Sequence, residues 1–517
     1  MRLVLHQTYR SFLPSIKTGG IIRPLHNIHC LSTMTTPTEF SFFPPPSAPE
    51  SKYIPSWIGS SPDSTATLIR ILEDNHRKWH IFYNDKGFHN HAAHRVIALW
   101  SLGAESDVIK GGYDEDSRYQ RSAIDSPQPI TAANFNDRLG DELYYRSYLV
   151  FFKDSIKDKG TTATVEEYVF SQRANFEVLD SKKPHPVMFD RFLGGLLHPM
   201  IHTGYGLEFG LPGMTAEGLA EAAVHPLDDV TAFGPESFIE TDAVSPLRPA
   251  ALATSPSVHA FTVLARILND PEIGGVASKE GIKTYSDTMR RYGSALKKHL
   301  REWHVDTSNP QALSRRMEEL VWTSVLIYGV GGWKLGKEFN ADFCYMHLVT
   351  SSIFLGSFMH HLTPMSQGVL LRGYFLASLA WWVSRGCADL DIKRFSKHTT
   401  THPARSGPLP TPENSTLPFP SSPKAVTPNP WLPIIETSLV HPDEHLSKLQ
   451  RALFHYSSLF GARPAGLLDF QNTELSGAEV IDGSLFIRVA GLTAKRMGRV
   501  REGEKMGDWD RSGFRRP

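Results

Sequence analysis

The sequence predicts a mainly α protein, a single large multi-helix domain with a disordered N-terminal arm and a Pro/Ser-rich insertion. Three observations predict it. Apolar residues recur at helical spacing through most of the chain, and alternating strand patterns are scarce. Histidines come in pairs three or four apart, which puts each pair on one helix face. Pro-, Ser- and Thr-rich stretches fall in an arm, residues 1–63, and in an insertion, 396–432, leaving 64–517 as the helical domain.

The 517 residues carry no formal net charge and are 41% hydrophobic. That balance excludes nucleic acid or an anionic membrane as the main partner. Cys30, Cys344 and Cys387 are too few and too scattered for a disulfide framework or a thiolate metal site. Histidine is plentiful at 23, so a metal site here would be nitrogen-rich. Before Glu39 there is no acidic residue, while Arg2, Arg10, Lys17 and Arg23 stand among Ser, Thr and apolar residues. That is the composition of a mitochondrial transit peptide. A start at Met34 would instead make the first 33 residues an extension and the protein cytoplasmic. No window offers about 18 uninterrupted apolar residues, so no transmembrane helix is expected.

In chain order, helical patterning starts near Ser64 with Leu68, Ile71 and Leu72. A helix holding His91 and His94 follows, with Asn90 as its N-cap and Gly103 as its stop. Residues 105–135 read as charged and turn-rich. Helices resume from Tyr144 to Phe152 and from Val165 to Leu179. The central stretch is Leu196-Leu197-His198-Pro199-Met200-Ile201-His202-Thr203-Gly204-Tyr205-Gly206-Leu207-Glu208. Pro199 suits a first helical turn, and His198 and His202 share a face. A buried helix begins near Pro256 with His259 among apolar neighbours. An amphipathic stretch covers Tyr285 to Trp303, and apolar helices cover Met317–Tyr328, Phe343–Phe358 and Leu370–Val383. His347 is an isolated polar side chain on the second of these and needs a partner if buried. A helix returns from His441 to Phe460, and Ile481–Phe486 reads as a turn feeding a short strand or helix.

Several chemistries lack their signatures. No Gly-x-Gly-x-x-Gly opens a helix after a strand; Gly329-Val330-Gly331-Gly332 lacks the third glycine. There is no Walker motif and no Gly-x-Ser-x-Gly elbow, and Pro199 stands where a zincin pair needs glutamate.

The segments Phe88-His89-Asn90-His91-x-x-His94, His198-Pro199-x-x-His202-x-Gly204-Tyr205, Val258-His259-Ala260, Cys344-x-x-His347-Leu348-Val349-Thr350-Ser351, His441-Pro442-Asp443-x-His445, Asp482-Gly483-Ser484-Leu485-Phe486 and Trp509-Asp510-Arg511-Ser512-Gly513-Phe514, in this order, resemble the questin oxidase-like family. The likeness runs from about residue 65 to the end, outside the Pro-rich insertion. It implies an oxidoreductase of fungal aromatic-polyketide metabolism that cleaves a ring of an anthraquinone or related quinone by Baeyer–Villiger-type oxygen insertion. Molecular oxygen would be the co-substrate and NADPH the reductant. Without a dinucleotide fingerprint, NADPH is expected to act on the substrate or through a partner.

The resemblance brings no ligand set, so the site rests on chemistry. His91, His94, His198, His202, His259 and His347 are the candidate catalytic residues, and a subset of them the ligands of a non-haem iron if a metal is bound. Without a metal they would serve as acid and base. Tyr205, Trp333, Tyr345, Tyr374 and Trp382 are candidates to stack on a flat substrate. A non-catalytic helical protein that binds a polyketide or chaperones a pathway enzyme is the alternative; it needs no converging histidines. A metal hydrolase acting on a lactone would need a carboxylate base, for which Glu208 is the nearest residue.

Overall fold

The chain enters its first long helix, α1 (Pro62–Lys78), through a capping box in which Ser61 and Ser64 bond each other's backbone N–H, with Pro62 in the first turn. The computed structural model describes residues 40–46, 51, 53, 55, 59–177, 184–227, 233–238, 257–274, 284–404 and 406–514. The possible targeting segment, Leu179 and Pro256 lie outside them. Ser41–Pro517 is one compact unit. Among the described residues the only β pairings are isolated bridges, such as Phe82 with His89. The fold is all-helical, as the periodicity predicts.

Helix α2 (Ala92–Ser101) is buried along its whole length. A helix, α3 (Ser106–Ser117), replaces the turn-rich stretch expected after it. Ile109 and Tyr113 lie four apart and are buried, while Asp107, Lys110, Asp114 and Glu115 of the same helix are exposed. Gly112 is there for packing: a Cβ would sit 3.0 Å from Leu99 Cδ1 of α2. Helix α4 (Tyr145–Lys159) buries the aromatic stripe Tyr145, Tyr148 and Phe152.

Helices α5 (Met188–Phe209) and α6 (Pro212–Val224) form an antiparallel hairpin. Its register follows from two close approaches. A Cβ on Gly206 would meet Thr215 Oγ1 at 2.3 Å, and one on Gly218 would meet Thr203 Oγ1 at 2.4 Å. There follow α7 (Ala260–Asn269), α8 (Tyr285–Leu300), α9 (Pro310–Val325), α10 (Phe343–Ser352), α11 (Leu355–His361) and α12 (Pro364–Ser384). The single helix expected over Phe343–Phe358 is thus two, broken at 353–354. Among the described residues of 399–430 the one helical turn is Pro423–Val426, and Leu409, Leu417 and Phe419 are exposed. Helices α13 (Leu446–Phe460) and α14 (Leu485–Met497) complete the body, the latter being the helix option of the Ile481–Phe486 reading. Helix α2 packs on α5 and α13, and α10 packs on the same two, so these four helices close a circuit.

Candidate active site

Each helix of that circuit brings one histidine to its centre. His91 precedes the first turn of α2, where Asn90 caps by accepting the Ala92 N–H at 2.9 Å. His198 follows a break in α5: Gly195, Leu196 and Leu197 all take positive φ, and Pro199 restarts the helix. A side chain at Gly195 would press within 2.9 Å of His89 Cε1. The break also frees the Gly195 carbonyl, which accepts His198 Nδ1–H at 2.5 Å. His347, one turn into α10, donates Nδ1–H to Phe343 O at 2.8 Å. His445 directly precedes α13; Asp443 Oδ1 accepts the backbone N–H groups of His445 and Leu446 and so fixes that turn.

The four rings form a closed ring of their own. Centroid separations are 4.9 Å for His91–His198, 4.9 Å for His198–His347, 5.1 Å for His347–His445 and 4.6 Å for His445–His91. All four side chains are buried. His198 and His347 each spend Nδ1–H on a backbone carbonyl, so each neutral ring presents a bare Nε2 lone pair. His347 Nε2 and both nitrogens of His445 have no hydrogen-bond partner. His91 Nε2–H then donates to His198 Nε2 at 2.8 Å, which turns the Nδ1 lone pair of His91 toward Glu444 Oε1 at 3.3 Å. Two acceptors face each other there. A cation or a shared proton relieves that contact, and burial opposes the proton. It holds His91 down at about 4 and His198, His347 and His445 well below the ordinary imidazole value.

The donor set therefore fits a divalent cation. Ligand atoms of His91, Glu444 and His445 lie within 4.8 Å of one another. Orientation of His198 and His347 by carbonyls is how proteins aim metal-binding imidazoles. Two histidines and one carboxylate with positions left open is the donor set of non-haem iron oxygenases.

A second polar group adjoins the first. His94 Nε2 is 3.0 Å from His202 Nδ1, and His202 Nε2 is 2.7 Å from Glu217 Oε2. Burial pushes the Glu217 carboxyl up, but hydrogen bonds from His202 and His76 outweigh it and hold it at about 2. Glu221 Oε1 lies 3.3 Å from His89 Nε2 without a hydrogen bond, and burial next to the Glu217 charge raises its carboxyl far above the carboxylate range. The His89 ring stacks on His198 at 4.0 Å.

Of the six histidines picked out in the sequence, His91, His94, His198, His202 and His347 thus come together. His259 does not. It caps α7, accepting the Phe261 N–H at 3.0 Å, and packs on Phe261 and Phe470. His445, Glu444, Glu217 and Glu221 were missed. Among the aromatic candidates, Tyr205 stacks on His94 at 5.1 Å. Tyr345, Tyr374 and Trp382 are core residues bonded to the carbonyls of Trp382, Leu348 and Ala388, and Trp333 packs on Phe395 and His398. Two other aromatics, Tyr83 and Tyr119, lie within electrostatic reach of the partly exposed Glu444. Tyr83 lies against Phe88 and Tyr119, and Phe343 covers His347 and His445 at 4.7 and 5.1 Å with Arg511 over its outer face. Glu208 is not available as a base, because it is buried in an ion pair with Arg451.

Comparison with known proteins matches residues 88–453 to the questin oxidase-like family model. The chain belongs to the questin oxidase-like family. It is 25% identical over 440 residues to the Baeyer-Villiger oxidase ptaJ of Pestalotiopsis fici, covering 83% of this chain and 87% of that one. It is 27% identical over 432 residues to the questin oxidase of Aspergillus fumigatus, covering 81% and 86%. Against the oxidoreductase AflY of Aspergillus parasiticus it is 26% identical, covering 62% and 63%. The protein is an oxidoreductase of the Baeyer–Villiger oxidase type, and the family match spans every member of the histidine ring. No described helix is long and apolar enough to cross a membrane.

Proposed function

We propose that this questin oxidase-like enzyme opens a ring of an anthraquinone or related aromatic polyketide by inserting one oxygen atom beside a carbonyl. The observation that carries the reading is the closed ring of four buried imidazoles, in which His347 Nε2 and both nitrogens of His445 have no hydrogen-bond partner. The balance is ketone plus O2 plus NADPH plus H⁺ giving ester or lactone plus NADP⁺ and water. One C–C bond breaks, and one C–O bond forms on each side of the inserted atom. NADPH is oxidised, and the second oxygen atom leaves as water.

His91, His198, His347 and His445, with Glu444 at the rim, would hold a ferrous ion, which when bound supplies activation of oxygen. The chain's own residues do the rest. Phe343, Tyr83, Phe88 and Tyr119 give a flat quinone apolar faces at the edge where Glu444 is partly exposed. Arg511, over Phe343, is placed to meet a phenolate or quinone oxygen. Burial keeps the imidazoles free of protons at neutral pH, so none carries a charge that would repel the metal. NADPH has no strand–turn–helix phosphate cradle among the described residues. We place it as a donor of electrons to the substrate or to a partner, with no bound-nucleotide step.

Purified protein, with and without added ferrous iron, is incubated with an anthraquinone panel, NADPH and O2 under ¹⁸O₂. A ring-opened product carrying one labelled atom, together with roughly one iron per chain, is the expected result. No ring-opened product from any quinone would overturn the reaction, and activity that is full after complete metal removal would overturn the iron.

A further inference from the structure

The family match starts at Phe88, yet one polar chain leads out of the buried site to His76, which lies before it. Lys153 Nζ is 3.2 Å from His76 Nε2, and His76 Nδ1 is 2.5 Å from Glu217 Oε1. Glu217 Oε2 is 2.7 Å from His202 Nε2, and His202 Nδ1 is 3.0 Å from His94 Nε2. Five side chains from five helices thus form an unbroken run of hydrogen bonds. Its outer end reaches solvent: the His76 side chain is 15% exposed, against 3% for Glu217 and 1% for His202. Its inner end is His94 Nδ1, which is buried and has no hydrogen-bond partner, with the ring of His94 stacked beside that of His91.

We propose that Lys153, His76, Glu217 and His202 are a proton relay that carries solvent protons to His94 at the edge of the reacting centre. The proposal rests on the reaction above, which consumes one proton from solvent per turnover. The imidazoles and the carboxylate each have two sites and can pass a proton from one to the other, and Lys153 feeds the run from its ammonium. At rest Glu217 is a carboxylate that accepts from His76 Nδ1–H and from His202, which carries a hydrogen on both nitrogens. When His94 gives up a proton from Nδ1, the hydrogen on His202 Nδ1 moves to His94 Nε2 and His202 keeps its Nε2–H. His76 Nδ1–H then passes to Glu217 Oε1, Lys153 reloads His76 at Nε2, and Lys153 recovers its own proton from solvent. Every hop crosses one hydrogen bond, no heavy atom need move far, and no charge is left behind.

The N-terminal arm bears on the same place. Phe43 is buried against α6, where Gly213 leaves room for it, and its ring meets His76 edge-on at 5.2 Å. The Phe42 ring lies 4.4 Å from Lys153 Nζ. These two rings pack beside the outer end of the run.

The test compares His76→Ala and Glu217→Gln with the parent as full-length, metal-loaded protein. For His76→Ala we expect kcat to fall about tenfold or more with KM unchanged, a larger solvent deuterium isotope effect, and recovery of rate on adding imidazole. Glu217→Gln should show the same loss without imidazole recovery. An unchanged kcat and isotope effect in His76→Ala, or a loss that imidazole does not relieve, would overturn the relay. A second measurement needs no substrate. In ¹⁵N-histidine-labelled protein the ring N–H of His202 should exchange with solvent at least about tenfold faster in the parent than in His76→Ala, because a relay opens a buried group to exchange. Equal exchange rates overturn the relay even if the enzyme is active. Exchange slowed in His76→Ala relative to a parent that turns over no quinone upholds it and faults the assigned reaction alone.

Discussion

Acid should unfold this protein through its own active site. His91 is held at about 4 by burial, against 6.5 in an unfolded chain. Between those values the unfolded chain binds a proton that the folded one refuses, so stability rises with pH across the window and is complete only above about 6.5. At 1.36 kcal/mol per pH unit, His91 alone takes away about 3 kcal/mol as pH falls to about 4. His455, buried beside Arg451, is also held at about 4 and takes away a similar amount. His89, His94, His198, His347 and His445 are displaced in the same direction. Two such groups already rival the roughly 5–15 kcal/mol that holds a domain folded. Urea unfolding of chelator-treated protein, stepped between about pH 7 and about pH 4, should show unfolding free energy falling steeply below about pH 6. In His91→Gln the glutamine cannot titrate, so the slope in that window should drop by about one proton. A parent curve flat across the window, or a His91→Gln curve parallel to it, would refute the argument.

Three further outcomes are expected. Glu208→Ala strands the Arg451 charge in the core and should cost about 3–5 kcal/mol by chemical denaturation, while Glu208→Leu combined with Arg451→Met should recover most of it; equal costs for the single and double variants would contradict this. His347→Ala should abolish turnover and lower bound iron with an unchanged circular dichroism spectrum, since its one hydrogen bond is to its own helix; full activity would remove His347 from the site. His259→Ala should leave turnover intact and cost about 1 kcal/mol of stability, as the loss of a helix cap does; a large fall in kcat with normal stability would reinstate it.

Much of the site was legible because helical spacing is a geometric statement. His91 with His94, and His198 with His202, had to share faces, and His347 on an apolar helix had to find a polar partner. His445 escaped because its partner at helical spacing, His441, lies outside the helix, which starts only at Leu446, and bonds to the Met497 carbonyl instead; the turn that aims His445 depends on Asp443, whose capping role shows only in three dimensions. Glu217 and Glu221 did carry a signal: two carboxylates four apart on a helix with no other charged residue must both be buried and must both find partners or give up their charge. His259 misled for a related reason, since a buried imidazole that caps a helix has the same apolar neighbours as one that binds a metal. Among the aromatic candidates Tyr345, Tyr374 and Trp382 stand inside apolar helices, where a ring marks core. Tyr83, Phe88, Tyr119 and Phe343 stand singly on loops and helix ends.

The α5–α6 hairpin shows why the two polar groups depend on small residues rather than on charge alone. Gly206 against Thr215 and Gly218 against Thr203 leave no space for a Cβ, so the two backbones approach more closely than larger side chains would permit. That approach brings Glu217 from α6 to 2.7 Å from His202 on α5 and seals both from water. Sealing is what depresses the imidazoles and raises Glu221, and depressed imidazoles are what keep the ring nitrogens free of extra protons at neutral pH. A looser hairpin would admit water, return the histidines toward their ordinary proton affinity, and let protons compete with a metal for the same nitrogens. The glycines and threonines of this hairpin therefore set the chemistry of the histidines without touching the reacting atoms.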